Sequence, residues 1–219
     1  MNWARWRSIP WIDTRASFVD ATPRGGSLLD LGSSDGQTLR HMSELRPDLT
    51  FAAVDIAGPP TGLPKNIRFA RADLEKDLLP WGDRSFEAIT CMHVVEHLRT
   101  MKNLWREVAR LLKPGGRVYI ETPGLDSMRT PSPPPSLRGK ITMNFYDDPT
   151  HVAPVPLSSL AAAAAEVGLH VKTTGRSRNW LFAAAYPLLA ILPATRRRYV
   201  AKLHWLGWSE YLIAEKPAP

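Results

Sequence analysis

The sequence predicts an α/β fold: a doubly wound, mostly parallel sheet of seven strands with helices on both faces. Two observations carry that prediction. Short apolar runs alternate with amphipathic helical stretches over residues 27 to 123, the pattern of parallel strands joined by crossover helices. A tight glycine turn, "GSSDG" at residues 32 to 36, lies between the first apolar run and the first helical stretch.

Each element follows in order. Residues 1 to 24 carry Trp3, Trp6 and Trp11 among arginines and read as an irregular or short helical lead-in. "SLLDL" (27 to 31) is a short apolar strand, and residues 35 to 46 read as a helix. "TFAAVDI" (50 to 56) is the second strand, and "IRFARAD" (67 to 73) alternates as a strand should. "FEAITCM" (86 to 92) is a buried strand. From Met101, Leu104, Trp105, Val108, Leu111 and Leu112 follow helical spacing, with Lys102, Arg106 and Arg110 on the other side. "KPGG" stops that helix, and "RVYIETP" (117 to 123) is the fifth strand. Beyond Pro123 a Pro- and Ser-rich loop intervenes. "LSSLAAAAAEVGL" then reads as a helix with Ser158 or Ser159 near its start and Gly168 at its end. "HVKTTGRS" and "SEYLIAEKP" are the last two strands, separated by an apolar and basic helical insertion.

Length and composition fit one domain with a full core: 219 residues, 44% hydrophobic and 22% charged. Within residues 1 to 219 three parts are expected: the lead-in (1 to 24), a cofactor-binding half (25 to 123) and a substrate-side half (124 to 219) containing the insertion (180 to 207). The single cysteine, Cys91, fits a reducing cytosol. "MNWARWRSIPWIDTR" lacks the apolar run of a signal peptide. The longest apolar stretch, residues 180 to 194, is too short for a membrane span and carries prolines. The expected location is therefore the cytoplasm, with peripheral contact at the inner membrane face as the further option.

The net charge of +7 is local. Between Glu166 and Glu210 there is no acid, while Lys172, Arg176, Arg178, Arg196, Arg197, Arg198 and Lys202 are all basic. With those seven set aside, bases and acids both number 21. A nucleic-acid protein spreads Lys and Arg along a face with interleaved aromatics, so nucleic acid is disfavoured. A local patch suits anionic lipid or a phosphate-bearing substrate.

The sharpest motif is "LLDLGSSDGQT" (28 to 38). Glycines let backbone approach a ligand, and the N–H groups opening the next helix favour an anionic group. Asp55 closes the second strand, where a carboxylate accepts hydrogen bonds from both hydroxyls of a ribose. Asp73 ends the third strand and offers an acceptor to an adenine amino group. The spacing is Gly-x-x-x-Gly with Asp35 inside, not the Gly-x-Gly-x-x-Gly that leaves room for a pyrophosphate. A nicotinamide cofactor is disfavoured.

In order and spacing, "LLDLGSSDGQT", "AAVDI", "ARADLEKDLLPWGDRSFEAITCMHVVEHL" and "REVARLLKPGGRVYIETP" resemble the class I S-adenosylmethionine-dependent methyltransferases, over roughly residues 26 to 123. The resemblance implies a Rossmann-like fold and a site for S-adenosylmethionine, converted to S-adenosylhomocysteine. It places Asp30, Gly32, Ser33, Ser34 and Gly36 at the methionine part and Asp55 with Ile56 at the ribose. Asp73 with Leu74 falls by the adenine, and Met92 with His93 by the sulfonium. Ser34 stands where the family usually has glycine, so the loop must leave space for its side chain.

The chain after the fourth strand reads "CMHVVEHL", without the Asn/Asp-Pro-Pro-aromatic motif of amino-group methylation on nucleic acids. Oxygen is then the expected nucleophile, and its proton needs a base as the methyl arrives. "NFYDDPTHVAPVP" (144 to 156) supplies His151. That segment resembles bacterial methyltransferases of surface-polysaccharide and glycolipid synthesis, and more loosely those of quinone synthesis. The resemblance implies that the segment covers the pocket, so that His151 serves as base or substrate ligand. In the alternative, His151 hydrogen-bonds Asp147 or Asp148 to pin the loop. His93 is the second catalytic candidate. On a helix His93, Glu96 and His97 share one face that could hold a metal; the resemblance places an acid at the first position, so no metal is expected, and His97 is read as a packing residue.

The expected activity is O-methylation of a saccharide or glycolipid hydroxyl. A quinone, phenol or other small-molecule acceptor is the alternative, and a non-catalytic binding protein that kept the fold is the reading from another class. The insertion, with Arg196 to Arg198, reads as a lid, a surface for a second copy, or a peripheral membrane contact beside a lipid-linked substrate.

Overall fold

The computed structural model describes Trp3, residues 7 to 64 and residues 66 to 218. Seven strands form one sheet: β1 (Ser27–Leu31), β2 (Thr50–Asp55), β3 (Arg68–Arg71), β4 (Phe86–Met92), β5 (Leu112–Pro123), β6 (His170–Ser177) and β7 (Ser209–Glu215). Their order is β3-β2-β1-β4-β5-β7-β6, with β7 antiparallel to both neighbours and the first five strands mutually parallel. The order reverses at β1, so that the β1 and β4 ends open a crevice, the usual ligand position in such sheets.

Alternation along the strands builds two cores, one on each face. Leu29, Leu31, Ala52, Val54, Ile89, Val118 and Ile120 pack with Leu104, Trp105, Val108 and Leu111 of α3 (Lys102–Leu111) and with Leu160 and Ala164 of α4 (Leu157–Glu166). Their neighbours Leu28, Phe51, Ala53, Ala88 and Tyr119 pack on the opposite side. There they meet Phe18 and Val19 of α1 (Thr14–Asp20) and Leu39, Met42 and Leu45 of α2 (Gln37–Leu45). Trp105 is 1% exposed, and truncating such a side chain to alanine costs about 3–5 kcal/mol.

The lead-in contains a 3-10 turn at Pro10–Ile12 and then α1, capped by Asp13, which accepts from Arg15 and Ala16 N–H. Trp6 lies outside the described residues. Several bounds shift by one or two residues, and two element starts differ for a physical reason. The helix before "KPGG" does stop, at Leu111, but the strand expected from Arg117 starts at Leu112 and carries these residues through a shift in register against β4 between Phe86 and Ala88. Gly116 makes this feasible, because a Cβ there would lie 3.1 and 3.2 Å from the Phe86 and Glu87 carbonyl oxygens. Neither Ser158 nor Ser159 caps α4, whose N-cap is Pro156; proline already holds the dihedral needed there. Gly168 does end α4, in the left-handed conformation.

The insertion is two helices, α5 (Trp180–Leu189) and α6 (Arg196–Leu206), packed on each other through Phe182 against His204 and Tyr186 against Trp205. Asn179 caps α5 by accepting from Phe182 N–H, and its amide donates to Asp13 at 3.0 Å, joining the insertion to the lead-in. Among the described residues no helix is long and apolar enough to cross a membrane.

Candidate functional site

The loop after β1 fixes the first wall of the site. Gly32 has φ +77°, and a Cβ on it would lie 2.2 Å from Val94 Cγ2, so only glycine lets the loop meet the chain leaving β4. Ser34 takes a left-handed φ of +46° and its side chain is exposed, which gives the hydroxyl its space. Gly36 is the N-cap of α2. Asp55, at the end of β2, accepts from Ser34 N–H at 2.7 Å through Oδ2 and from Ala57 N–H at 2.9 Å through Oδ1. One carboxylate thus orders both loops and keeps a further lone pair on each oxygen for a ligand.

These residues border a cleft of about 350 Å³ lined by Gly32, Ser34, Asp55, Ile56, Asp73, Leu74 and His93, together with Ala72, Glu75, Val94, His97 and Leu98. Four other sequence candidates stand behind that wall. Asp30 is buried under it and accepts from the Thr90 hydroxyl at 2.7 Å. Ser33 is buried, Gly36 starts α2, and Met92 packs toward the α1–α2 side. A wider groove of about 910 Å³ runs along α3 and α4 past Trp105 and Val167, but the glycine loop takes no part in it.

Two carboxyls near the cleft are electrostatically unusual. Burial pushes Asp30 up to about 7, helped by the charge of Asp55 and opposed by the Thr90 hydroxyl. Asp73 is held below the ordinary range by Lys76, 2.9 Å away, and by the Glu75 N–H.

His93 is tightly bound. It has φ +56°, its Nδ1 lies 3.0 Å from Glu96 Oε1, and its Nε2 lies 3.0 Å from Glu121 Oε1. Burial opposes its charge, but Glu121 and Glu96 outweigh that and raise its pKa to about 9. Glu121 also accepts from Arg15 Nε at 2.9 Å and from the Tyr119 hydroxyl at 2.6 Å, and pairs with the second Arg15 nitrogen. Arg15 and His93 hold it well below the carboxylate range despite its burial. The result is a chain of alternating charge, Arg15–Glu121–His93–Glu96. An imidazolium with both N–H groups donated has no lone pair, so His93 borders the cleft as a fixed cation and cannot take up a proton.

His151 is arranged differently. Its Nδ1 lies 2.6 Å from the Phe145 carbonyl oxygen. A carbonyl only accepts, so Nδ1 carries the hydrogen, and Nε2 is the atom on which the neutral form of the ring has its lone pair. The ring sits 4.5 Å from that of Phe145 and 4.8 Å from that of His97, centroid to centroid. His151 is not itself in the cleft wall; His97, read from sequence as a packing residue, is. The two aspartates do separate jobs. Asp147 pins the loop by accepting from Ser132, Met143 and Asn144. Asp148 holds Thr150 through its N–H and hydroxyl, and its Oδ2 lies 4.0 Å from His151 Nε2.

The expected trio of His93, Glu96 and His97 on one helix face does not form. Only a single 3-10 turn, Val95–His97, follows β4, and the left-handed backbone turns His93 away to Glu121. Glu96, His97 and His151 converge instead, with ligand atoms within 4.8 Å of one another. Two imidazoles and a carboxylate are donors a divalent ion accepts. The carboxylate, however, already meets the His93 cation with Oε1 and the Thr122 hydroxyl with Oε2. A second positive charge at the same group is disfavoured, so the trio does not fit a metal as arranged.

Glu121, Arg15 and Tyr119 have no motif and were not legible as neighbours of the site; Arg15 and Glu121 are 106 positions apart. The charge of Glu121 beside the buried Val118, Tyr119 and Ile120 of the fifth strand was the available signal.

Comparison with known proteins agrees with this architecture. A methyltransferase-domain family model matches residues 3–174. Methyltransferase pytC of Aspergillus terreus is 30% identical over 113 residues, covering 50% of this chain and 34% of that protein. A ubiquinone biosynthesis O-methyltransferase of Xanthomonas oryzae pv. oryzae is 32% identical over 105 residues, covering 45% and 43%. The chain thus matches less than half the length of these relatives. Among solved structures, an S-adenosylmethionine-dependent methyltransferase of Mesorhizobium loti superposes with a TM-score of 0.63 at 18% identity, covering 97% of this chain and 98% of that one. The YcgJ protein of Bacillus subtilis gives 0.58 at 22% identity, covering 92% and 97%. With the glycine loop, the strand-end acids and the reversed seventh strand, these matches lead to one conclusion: the chain belongs to the class I S-adenosylmethionine-dependent methyltransferases.

Proposed function

We propose that this chain O-methylates a hydroxyl of a saccharide or glycolipid, with His151 as the base. The observation that carries the reading is the 2.6 Å contact of His151 Nδ1 with the Phe145 carbonyl, which reserves Nε2 for a proton. The cleft residues fit S-adenosylmethionine: Gly32 lets the loop lie against Val94 with its backbone at the cleft wall, and Asp55 keeps acceptors for ribose hydroxyls. When bound, that cofactor supplies an electrophilic methyl on sulfur. The chemistry supplied would be transfer of that methyl to the acceptor oxygen with the sulfur leaving as a neutral thioether, and the acceptor's proton would pass to His151 Nε2, which lies behind His97 of the cleft wall. Asp148, 4.0 Å from Nε2, favours the resulting imidazolium. Gly32, Ser33, Ser34 and Gly36 would shape the methionine end, Asp55 and Ile56 the ribose end, and Asp73 and Leu74 the adenine end. Asp30 and Met92 support that wall from behind, and His93 acts as a fixed charge beside it. In this reading residues 25 to 123 form the donor half and residues 124 to 219 the acceptor half.

A phenolic or quinol hydroxyl is the second reading, favoured by the likeness to a ubiquinone biosynthesis O-methyltransferase. Both acceptors need the same base. The deciding experiment incubates the protein with methyl-labelled donor and fractionated lysate, then identifies the labelled product. Label in saccharide-bearing material is the expected result. Label in a phenol selects the second reading, and failure to bind donor in calorimetry overturns both in favour of a non-catalytic protein.

A further inference from the structure

Helix α5 carries no charged residue in "WLFAAAYPLL", yet Ala183 is its only buried position. A helix apolar on all sides is ordinarily enclosed by a core. Here Leu188 is 75% exposed, Ile191 in the following turn 85% and Leu192 49%, while Trp180 and Trp205 are exposed at the other end of the hairpin. Arg196 and Arg197 follow the turn and are exposed, with Arg198 and Lys202 half-buried behind them. Among the described residues none of these four bases has an ion pair with a carboxylate, and residues 167 to 209 contain no acid.

We propose that the tip of the α5–α6 hairpin docks on an anionic lipid surface, with Leu188, Ile191 and Leu192 entering the headgroup boundary and Arg196 to Arg198 meeting lipid phosphates. Charge complementarity selects this occupant. Apolar residues at an exposed tip, bases beside them and tryptophans further back are the arrangement of a peripheral membrane anchor. A second copy covering the same face through a two-fold contact would set the two arginine clusters against each other.

The hairpin is joined directly to the site. Trp208, two residues past α6, has its ring 5.8 Å from that of His93 and donates from Nε1 to the Met143 carbonyl at 2.5 Å. Docking at the tip therefore holds a membrane at one end of a hairpin whose other end packs on the site. This deepens the glycolipid reading without depending on it.

The test is sedimentation of the full chain with phosphatidylcholine vesicles, with and without phosphatidylglycerol, at low and high salt. The chain should pellet only with the anionic vesicles, and salt should release it. Replacing Arg196, Arg197 and Arg198 by Ala should weaken partition by roughly a hundredfold. Leu188→Asp with Ile191→Asp should also abolish it, while donor binding measured on both variants stays unchanged and reports an intact fold. No pelleting, equal pelleting with neutral vesicles, or full retention by the double Asp variant overturns the proposal. So does a vesicle-free dimer in analytical ultracentrifugation that Ile191→Asp dissolves, which assigns the face to a second copy. A chain that docks but methylates only a soluble acceptor refutes the glycolipid reading alone. One that methylates a glycolipid without docking refutes the anchor alone.

Discussion

The ring of His151 is anchored by its own loop: Nδ1 meets the carbonyl oxygen of Phe145, six residues earlier, at 2.6 Å. The contact sets the tautomer and leaves Nε2 as the basic atom. His151→Ala should therefore lower turnover by about 10²–10⁴-fold with donor affinity unchanged in calorimetry. His151→Gln, which can keep a bond to the carbonyl but accepts no proton, should lose as much. Full turnover in either variant removes His151 from the chemistry.

His93 gives the protein an alkaline limit. Its pKa is about 9 in the folded chain against 6.5 ordinarily, so its cationic form favours the folded state. That contribution is complete below about pH 6.5 and is lost as pH rises through 9. With 31% of the side chain exposed, its size is on the order of 2 kcal/mol after allowance for solvent screening. Melting temperatures recorded from pH 6 to 10 should fall on the alkaline side, and the fall should be shallower in His93→Asn.

Asp30 works in the opposite sense. Folded, it holds its proton up to about pH 7, whereas unfolded it releases it near 3.8. Its effect is absent below that lower value, grows as pH rises between the two, and is a full destabilisation above 7. Asp30→Asn keeps an acceptor for Thr90 and removes the charge. Denaturant titrations should show the variant gaining on the parent with rising pH, by up to about 4 kcal/mol; a constant difference would contradict the assignment.

Gly32→Ala should destabilise the fold by about 2–4 kcal/mol, from the left-handed backbone and the overlap with Val94, and should abolish donor binding. Val94→Ala in the same chain removes the obstructing methyl. The double variant should be less destabilised than the two single losses predict, because the overlap is gone and only the backbone strain and the lost Val94 packing remain.

The first, second and fourth strands were legible because they are short and apolar, and the bounds of β1, β4 and β6 follow from the sequence without change. The start of β5 was not, because a glycine pair after a helix looks the same whether it turns the chain or forms a bulge, and only the carbonyls of Phe86 and Glu87 decide it. The cleft-lining loop and the strand-end acids were legible for a similar local reason. The role available to His93 was not. Its sequence neighbours suggest a helical face, whereas a left-handed backbone and a carboxylate 28 positions away determine its charge. His97 reaches the cleft and His151 stands behind it, an order that depends on how loop 145 to 152 lies on the Glu96 turn through the Val152 N–H bond to the Glu96 carbonyl.

Asp13 and Asn179 are 166 positions apart, and their side chains meet in a buried hydrogen bond at 3.0 Å. A ribosome releasing this chain from its N-terminus must extrude it past residue 179 before that clasp can close. Asp13 can cap α1 at once, so the early helix has a local partner while it waits. The sheet's first five strands are available long before, and contacts of such large sequence separation form late. Fastening the lead-in to the hairpin thus waits for residue 179, and a nascent chain stalled before it would hold Asp13 without its partner, the first five strands already made.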